Sequence, residues 1–375
     1  MKEKGLRIII SGGGTGGHIF PAISIANAIK KRWDDSEILF VGAKDRMEME
    51  RVPAAGYTIV GLPVSGFDRK HLLKNIAVAI KLLKSMYMAN KIIADFKPDV
   101  AVGVGGYASG PILRAAASKG IPALIQEQNS YPGVTNKMLA EKAVKICVAY
   151  EGLEKYFPKE KIVLTGNPCR QDLMVSEENK RKGIEFFRLS PEKKTILVIG
   201  GSLGAKTINE SIIKAFPKIE QADDVQIIWQ CGKYYYDNIK QLQDEGKIPS
   251  NVRLHDFISH MDYAYSVADL IISRAGAGSI SEFCLLGKPV ILVPSPNVAE
   301  DHQTKNAQAL VEKGAAVMIA DADAPSLLFD VALDVVRDKE RLKSLSNNIA
   351  KLAQPDSADR IVDEIAKIVG KGRKA

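Results

Sequence analysis

The residues of this chain with the most chemical potential stand beside two glycine-rich turns. The first, Gly12-Gly13-Gly14-Thr15-Gly16-Gly17, follows the apolar run Leu6–Ile10 and ends on His18, one of only five histidines. A histidine there can cap a helix, bind a phosphate or act as a base near neutral pH. The second, Gly200-Gly201-Ser202-Leu203-Gly204-Ala205, follows Thr195–Ile199 and precedes a helical pattern over Thr207–Phe216. A strand that turns sharply through glycines aims the N–H groups of the next helix beyond the strand end, which suits a phosphate. Two such units imply two nucleotide-fold halves with a ligand held between them. Carboxylates complete the set. Glu127 ends a strand-like run and could take a proton itself or orient His18. Glu282 follows the strand-like Leu270–Ser273 on a helix, where it either complements the helix dipole or accepts the hydroxyls of a ribose. Asp321-Ala322-Asp323 spells a pattern that can hold a divalent metal on a diphosphate. It lies far in sequence from both turns, however, and acidic turn residues are common, so the expectation is a structural turn.

Gly12, Gly14 and Gly17 also satisfy the dinucleotide pattern GxGxxG. The dehydrogenase version needs an acidic residue at the end of the second strand to hold the ribose diol. Here that end reads Val41-Gly42-Ala43-Lys44, and Glu37 precedes the strand. A nicotinamide or flavin enzyme is therefore not expected.

The elements that must position these groups alternate regularly. Strand candidates in the first half are Ile8–Ser11, Ile38–Val41, Thr58–Gly61, Val100–Val104, Ala123–Gln126 and Lys145–Val148. In the second half they are Thr195–Ile199, Gln226–Trp229, Val252–Asp256, Leu270–Ser273, Val290–Val293 and Ala316–Ile319. Helical stretches separate most of them, which is the rhythm of parallel, doubly wound α/β sheets. Their continuous apolar character fits strands covered on both faces. A boundary is expected at Thr165-Gly166-Asn167-Pro168, after the strand-like Ile162–Leu164. Residues 1–166, joined by a C-terminal helix within 352–375, form one expected domain and residues 167–351 the other. Ligands of such sheets bind at the carboxyl ends of the strands.

Composition agrees. With 375 residues, 46% hydrophobic and 26% charged, the chain is long enough for two cores. No apolar run approaches the roughly 18 to 20 residues that span a bilayer. Leu6–Ile10 runs straight into a glycine turn and reads as a first strand, not a signal peptide. Cys147, Cys169, Cys231 and Cys284 are scattered without metal-ligand spacing and read as reduced, structural residues of a cytosolic protein. The net charge of +8 favours anionic partners without choosing among them.

Seven motifs, in order, carry a resemblance. They are Gly12 through His18 with Ile19-Phe20-Pro21-Ala22; Gly105-Gly106-Tyr107-Ala108-Ser109-Gly110-Pro111; Glu127-Gln128-Asn129 with Thr135-Asn136-Lys137; and Gly166-Asn167-Pro168-Cys169-Arg170. Gly200 through Ala205, Ser273-Arg274-Ala275-Gly276-Ala277 through Ser281-Glu282, and Asp301-His302-Gln303 with Asn306-Ala307 follow. Over nearly its whole length the chain resembles the MurG-type UDP-N-acetylglucosamine transferases of glycosyltransferase family 28. The resemblance implies a GT-B fold of two Rossmann-like domains facing each other across a cleft. It implies transfer of N-acetylglucosamine from its UDP donor to the 4-hydroxyl of the muramyl sugar of lipid I, giving lipid II for peptidoglycan and hence cell-wall growth and division. The implied reaction inverts the anomeric centre and uses no cofactor and no essential metal. Implied partners are the donor, the undecaprenyl-linked acceptor and the anionic cytoplasmic face of the bacterial inner membrane, with no nucleic acid. Leu203 stands where the family usually has glutamine, and Gly278-Ser279 where it has leucine-threonine. Both positions adjust donor contacts without removing a titratable group.

The same resemblance distributes roles. His18 or Glu127 becomes the general base for the acceptor hydroxyl. Thr15, Gly16 and Gly17 bind substrate, and Tyr107 contacts the acceptor, with an equal claim to plain loop packing. Glu282 matches the ribose-binding glutamate of a donor segment formed by Ala277, Gly278, Ser279, Ile280 and Ser281. Arg170 and Ser202 serve the diphosphate, Asn129 and Gln303 the neutral sugar, and Ile258 reads the uracil edge through its backbone. A UDP-sugar 2-epimerase of the same fold, or a non-catalytic UDP-sugar-binding regulator, is the alternative. Finally, Lys70–Ile93 reads as an amphipathic helix. At about 100° per residue, Lys70, Lys74, Lys81, Lys84 and Lys91 share an arc of roughly 100°, beside an apolar arc of Leu72, Leu73, Ile76, Ile80, Leu83 and Tyr87. It is either a crossover helix with its lysines in water or one that also meets the membrane.

Overall fold

The computed structural model describes residues 5–64, 74–169, 173, 175–201 and 203–372. The chain divides into two compact units, Met1–Arg170 with Gln354–Ala375, and Gln171–Ala353. The sequence places these boundaries after residue 166 and before residue 352.

The first unit is built on β1 (Arg7–Ser11), β2 (Glu37–Ala43), β3 (Thr58–Leu62), β4 (Val100–Gly103), β5 (Ala123–Glu127), β6 (Lys145–Val148) and β7 (Ile162–Leu164). Its helices are α1 (Gly16–Arg32), α2 (Glu48–Ala54), α3 (Lys74–Phe96), α4 (Ser109–Ser118) and α5 (Val134–Leu139). The strands lie in the order β3-β2-β1-β4-β5-β6-β7. Every pairing is parallel, with Ser11 at the end of β1 opposite Val41 on one side and Gly103 on the other. The order reverses at β1, so the loops after β1 and β4 part there and open a crevice at the carboxyl edge. Continuous isoleucine and valine runs make these strands because helices cover both faces. One face buries Ile8, Ile10 and Val102 against Ile25 and Ile29 of α1, and the other buries Ile9, Ala101 and Ile125 against Ile112 and Ala116 of α4. Lys30, Lys31 and Arg32 close α1 where its dipole favours cations. Pro21, in the second turn of α1, has no N–H to give the Gly17 carbonyl.

The second unit repeats the plan. It contains α6 (Glu177–Phe186), β8 (Lys194–Ile199), α7 (Lys206–Lys214), α8 (Phe216–Glu220), β9 (Val225–Gln230), α9 (Tyr236–Asp244), β10 (Val252–His255) and α10 (Met261–Val267). Then come β11 (Leu270–Ser273), α11 (Ala277–Leu286), β12 (Val290–Leu292), α12 (His302–Val311), β13 (Val317–Met318), α13 (Ala324–Arg337) and α14 (Lys339–Ala350). The sheet runs β10-β9-β8-β11-β12-β13, all parallel, with its reversal at β8. The helix expected through Phe216 ends at Lys214, and a separate helix, α8, begins at Phe216 with Pro217 in its first turn. The chain then returns to the first unit as α15 (Ser357–Gly372). There Ile361, Val362 and Ile365 of α15 join the core beside Ile25 and Ile29.

Helix α3 departs from a plain crossover. It packs inward through Ser85, Ala89 and Ile93, while Ile80, Leu83 and Tyr87 are 63%, 72% and 74% exposed. These three share one helical face, and Lys81, Lys84 and Lys91 beside them are exposed. Lys70, Leu72 and Leu73 lie outside the described residues, and the side chains of Lys74 and Ile76 are likewise not described. Among the described residues no helix is long and apolar enough to cross a membrane.

Candidate functional site

In the first unit, the carboxyl ends of β1, β4 and β5 gather the expected residues. Thr15 caps α1 in extended conformation, and Gly16, Gly17 and His18 form its first turn. His18 Nδ1 lies 3.0 Å from the Gly13 carbonyl and 3.4 Å from Thr15 Oγ1. A carbonyl only accepts, so Nδ1 carries the proton, and in the neutral ring the lone pair resides on Nε2. Gly105, at φ +90°, lies against that side of the ring, and a Cβ there would stand 2.9 Å from Nε2. Only glycine lets the loop after β4 approach so closely. The Asn136 side-chain amide flanks the same point. Tyr107, next but one along that loop, is exposed.

Glu127 is 1% exposed and holds its own loop. Its Oε1 accepts from the Asn129 backbone N–H at 3.0 Å and from Asn129 Nδ2 at 3.1 Å. Its Oε2 accepts from Gly133 N–H at 3.1 Å and from Asn136 Nδ2 at 2.8 Å. Four donors occupy the carboxylate, an arrangement that orients Asn129 and Asn136 rather than leaving a base ready to move. Asn136 stands in a sequence motif but has no role assigned from it, because only the fold brings it to Glu127 and Gly105.

The phosphate reading of the first glycine turn changes. The Gly14 N–H donates to Glu48 Oε2 at 3.0 Å, so part of this turn is committed to a buried carboxylate. Glu48 is also the acid near the end of β2 that the sequence lacked. It faces inward, however, where no ribose can reach it.

In the second unit, the turn after β8 and the loop after β11 lie at the reversal of strand order. Gly204, at φ +87°, packs so tightly that a Cβ would meet the Cys231 carbonyl oxygen at 2.0 Å. Gln230 spans this edge, donating to the Gly201 carbonyl at 3.1 Å and accepting the Ile258 N–H at 2.9 Å. Ile258 therefore has only its carbonyl to offer a base edge. Helix α11 begins after Gly276, whose carbonyl takes the Ile280 N–H at 3.0 Å. The N–H groups of Ala277, Gly278 and Ser279 thus precede the first intrahelical bond and form the positive end of the helix. Ala277 and Ile280 are buried, and the Ser281 hydroxyl donates back to the Ala277 carbonyl at 2.9 Å. Glu282 lies in the second turn, beyond the reach of the dipole argument. Its Oε2 accepts from the buried Tyr265 hydroxyl at 2.8 Å, which fixes the carboxylate. Gln303 accepts the Ser295 N–H at 2.8 Å and so presents its amide NH₂ group. Just before it, Glu300 and Asp301 hold left-handed φ values of +59° and +51°, costing of order 1 kcal/mol each. Arg170 and Ser202 lie outside the described residues.

Asp321 is held by other residues of the same unit. It forms an ion pair with Arg274 and accepts from Thr207 Oγ1 at 2.9 Å, while Arg274 also donates to the Val293 and Pro294 carbonyls. The aspartate braces the loop after β11. Burial pushes the Cys147 and Cys284 thiols up to about 12, which removes them as nucleophiles.

Two doubly wound halves, each with its polar residues at the strand carboxyl ends and a helix start aimed there, define a two-domain α/β protein suited to a nucleotide diphosphate. The chain matches the glycosyltransferase family 28 N-terminal domain over residues 8–148 and the C-terminal domain over 195–361, and it belongs to that family. A Parabacteroides distasonis relative, a UDP-N-acetylglucosamine–N-acetylmuramyl-(pentapeptide) pyrophosphoryl-undecaprenol N-acetylglucosamine transferase, is 69% identical across 97% of this chain and 99% of its own. The crystal structure of Acinetobacter baumannii MurG superposes with a TM-score of 0.77 at 29% identity, covering 96% of this chain and 99% of that one. A UDP-GlcNAc 2-epimerase from Neisseria meningitidis superposes at 0.67 with 18% identity over 96% of this chain and all of its own, a likeness of fold alone.

Proposed function

We propose that this chain transfers N-acetylglucosamine from UDP-N-acetylglucosamine to the 4-hydroxyl of the muramyl sugar of lipid I, giving lipid II. The observation that carries the reading is the 69% identity, end to end, with a transferase of that name. The site supports it. In this reading His18 Nε2 takes the acceptor's proton, and the hydroxyl attacks the anomeric carbon as UDP leaves from the opposite face, inverting α to β. Glu282, held by Tyr265, accepts the ribose hydroxyls, and the Ile258 carbonyl meets the uracil. The start of α11, with Arg170 and Ser202, stabilises the departing diphosphate, so no metal is required. Asn129 and Gln303 hold the sugars, Thr15, Gly16 and Gly17 bind substrate, and Tyr107 meets the acceptor.

In this reading the acceptor's lipid tail brings the enzyme to the inner membrane, at its cytoplasmic face. The exposed Ile80-Leu83-Tyr87 stripe on α3, flanked by Lys81, Lys84 and Lys91, supports contact there. Product analysis after incubation with UDP-N-acetylglucosamine and a lipid I analogue tests the whole reading. The expected product is a β-linked disaccharide plus UDP. An epimerised donor would instead mark a 2-epimerase, and an unchanged donor a binding protein.

A further inference from the structure

Beneath the first glycine loop lies a carboxylate with no part in the chemistry above. Glu48, the first residue of α2, is 1% exposed. Its Oε1 accepts the Ala43 N–H at 2.8 Å at the end of β2, and its Oε2 accepts the Gly14 N–H at 3.0 Å. Missing side chains make the space. A Cβ on Gly13 would fall 2.1 Å from Glu48 Oε1, and one on Gly42 2.5 Å from its Cγ. The Gly14 N–H belongs to the same peptide group as the Gly13 carbonyl, which receives the His18 Nδ1 proton at 3.0 Å. Carboxylate, peptide and imidazole therefore form one hydrogen-bonded row.

We propose that Glu48 is a positioning residue for proton transfer, acting on His18 through the Gly13–Gly14 peptide. A carboxylate that accepts the amide N–H favours the charge-separated form of that amide, so the carbonyl oxygen becomes a stronger acceptor. The stronger acceptor fixes the Nδ1–H tautomer and stabilises the imidazolium that forms when Nε2 takes the sugar hydroxyl proton. During that step the new bond to the anomeric carbon forms as the bond to UDP breaks, and Glu48 exchanges no proton. In a Ser-His-Asp triad the carboxylate touches the imidazole directly. Here the intervening peptide conveys the effect, and the negative charge stays buried.

Among the described residues, the ionisable groups on the neighbouring elements stand further along the network from the ring. Glu127, at the end of β5, is linked to the ring's surroundings through Asn136 of α5, with both oxygens already engaged. The loop after β4 brings Tyr107 and, against the ring itself, the uncharged Gly105. Helix α1 carries no acid in its first turn. The inference rests on His18 as the base.

Two experiments test it. In the unaltered protein, nitrogen-detected imidazole spectra should show His18 as the Nδ1–H tautomer. The Gly14 amide shifts should titrate with the same midpoint as His18. An Nε2–H tautomer, or a Gly14 amide indifferent to that titration, overturns the proposal whether or not any variant folds. In Glu48→Gln the acid limb of the kcat profile should move to lower pH by about half to one unit, with the plateau reduced about 10-fold. A lower plateau with an unmoved limb would make Glu48 a mere loop brace and end the proposal. Near-normal turnover in His18→Ala would remove the base assignment, while the tautomer and Gly14 results still judge the linkage separately.

Discussion

Among the described residues, replacing His18 removes the imidazole at the first unit's strand edge, so His18→Ala should lower kcat by about 10²-fold or more. Donor affinity, read as KM for UDP-N-acetylglucosamine, should change little. Retained turnover would pass the role to Glu127, which would first have to shed some of its four hydrogen bonds. Glu282→Ala should weaken binding of UDP alone by about 1 to 3 kcal/mol, the range for a lost charge-assisted hydrogen bond. Calorimetry decides it, and unchanged affinity refutes the ribose assignment. The residues proposed here for chemistry were legible because their neighbours draw attention to them: a histidine after six glycine-rich residues, and a glutamate after a strand. Those that hold them were not. Glu48 sits in the sequence Glu48-Met49-Glu50-Arg51, which reads as a solvated helix start. Its burial depends on glycines 13 and 42 being brought over it by two strands. Tyr265 and Gln230 are equally silent until the fold sets them beside Glu282 and Ile258.

At the scale of elements, strands were the clearest signal, because parallel strands covered on both faces are continuous apolar runs. Lys145–Val148, Ile162–Leu164 and Leu270–Ser273 begin and end where the sequence placed them, and most others shift by one residue. Edges shift because the last pairing belongs to the neighbouring strand as much as to the strand itself. The loops between them hold the prediction of most use here. Asp321 braces Arg274 and, with it, the loop leading into α11, whereas among the described residues no such partner accounts for Asp323. Asp321→Ala should therefore lower thermal stability by about 1 to 3 kcal/mol, the cost of stranding a partly buried charge. Asp323→Ala should melt and turn over as the parent does, and activity should survive thorough chelation. Loss of activity with EDTA, restored by magnesium or manganese, would instead make the pair a metal site.

For the molecule as a whole, the outward stripe on α3 concerns where the enzyme works. Changing Lys81 and Lys84 to Glu should reduce binding to anionic vesicles, more at low salt than at high, since each near-surface lysine contributes about 1 kcal/mol and is screened. UDP affinity should be spared. If vesicle binding holds and only stability falls, the stripe serves the fold and the membrane face lies elsewhere. The return of α15 to the first sheet has a consequence in time. The ribosome delivers β1 to β7 long before it delivers Ile361, Val362 and Ile365, which close the core over α1. Each such buried side chain is worth roughly 1.5 to 3 kcal/mol, and a whole domain's net stability is only about 5 to 15 kcal/mol. The half made first must therefore wait, open along one face, until the last helix emerges. A nascent chain stalled before Ser357 should be cut by protease within residues 5–164 while residues 175–350 resist, and equal resistance of both would show that the first half closes without its final helix.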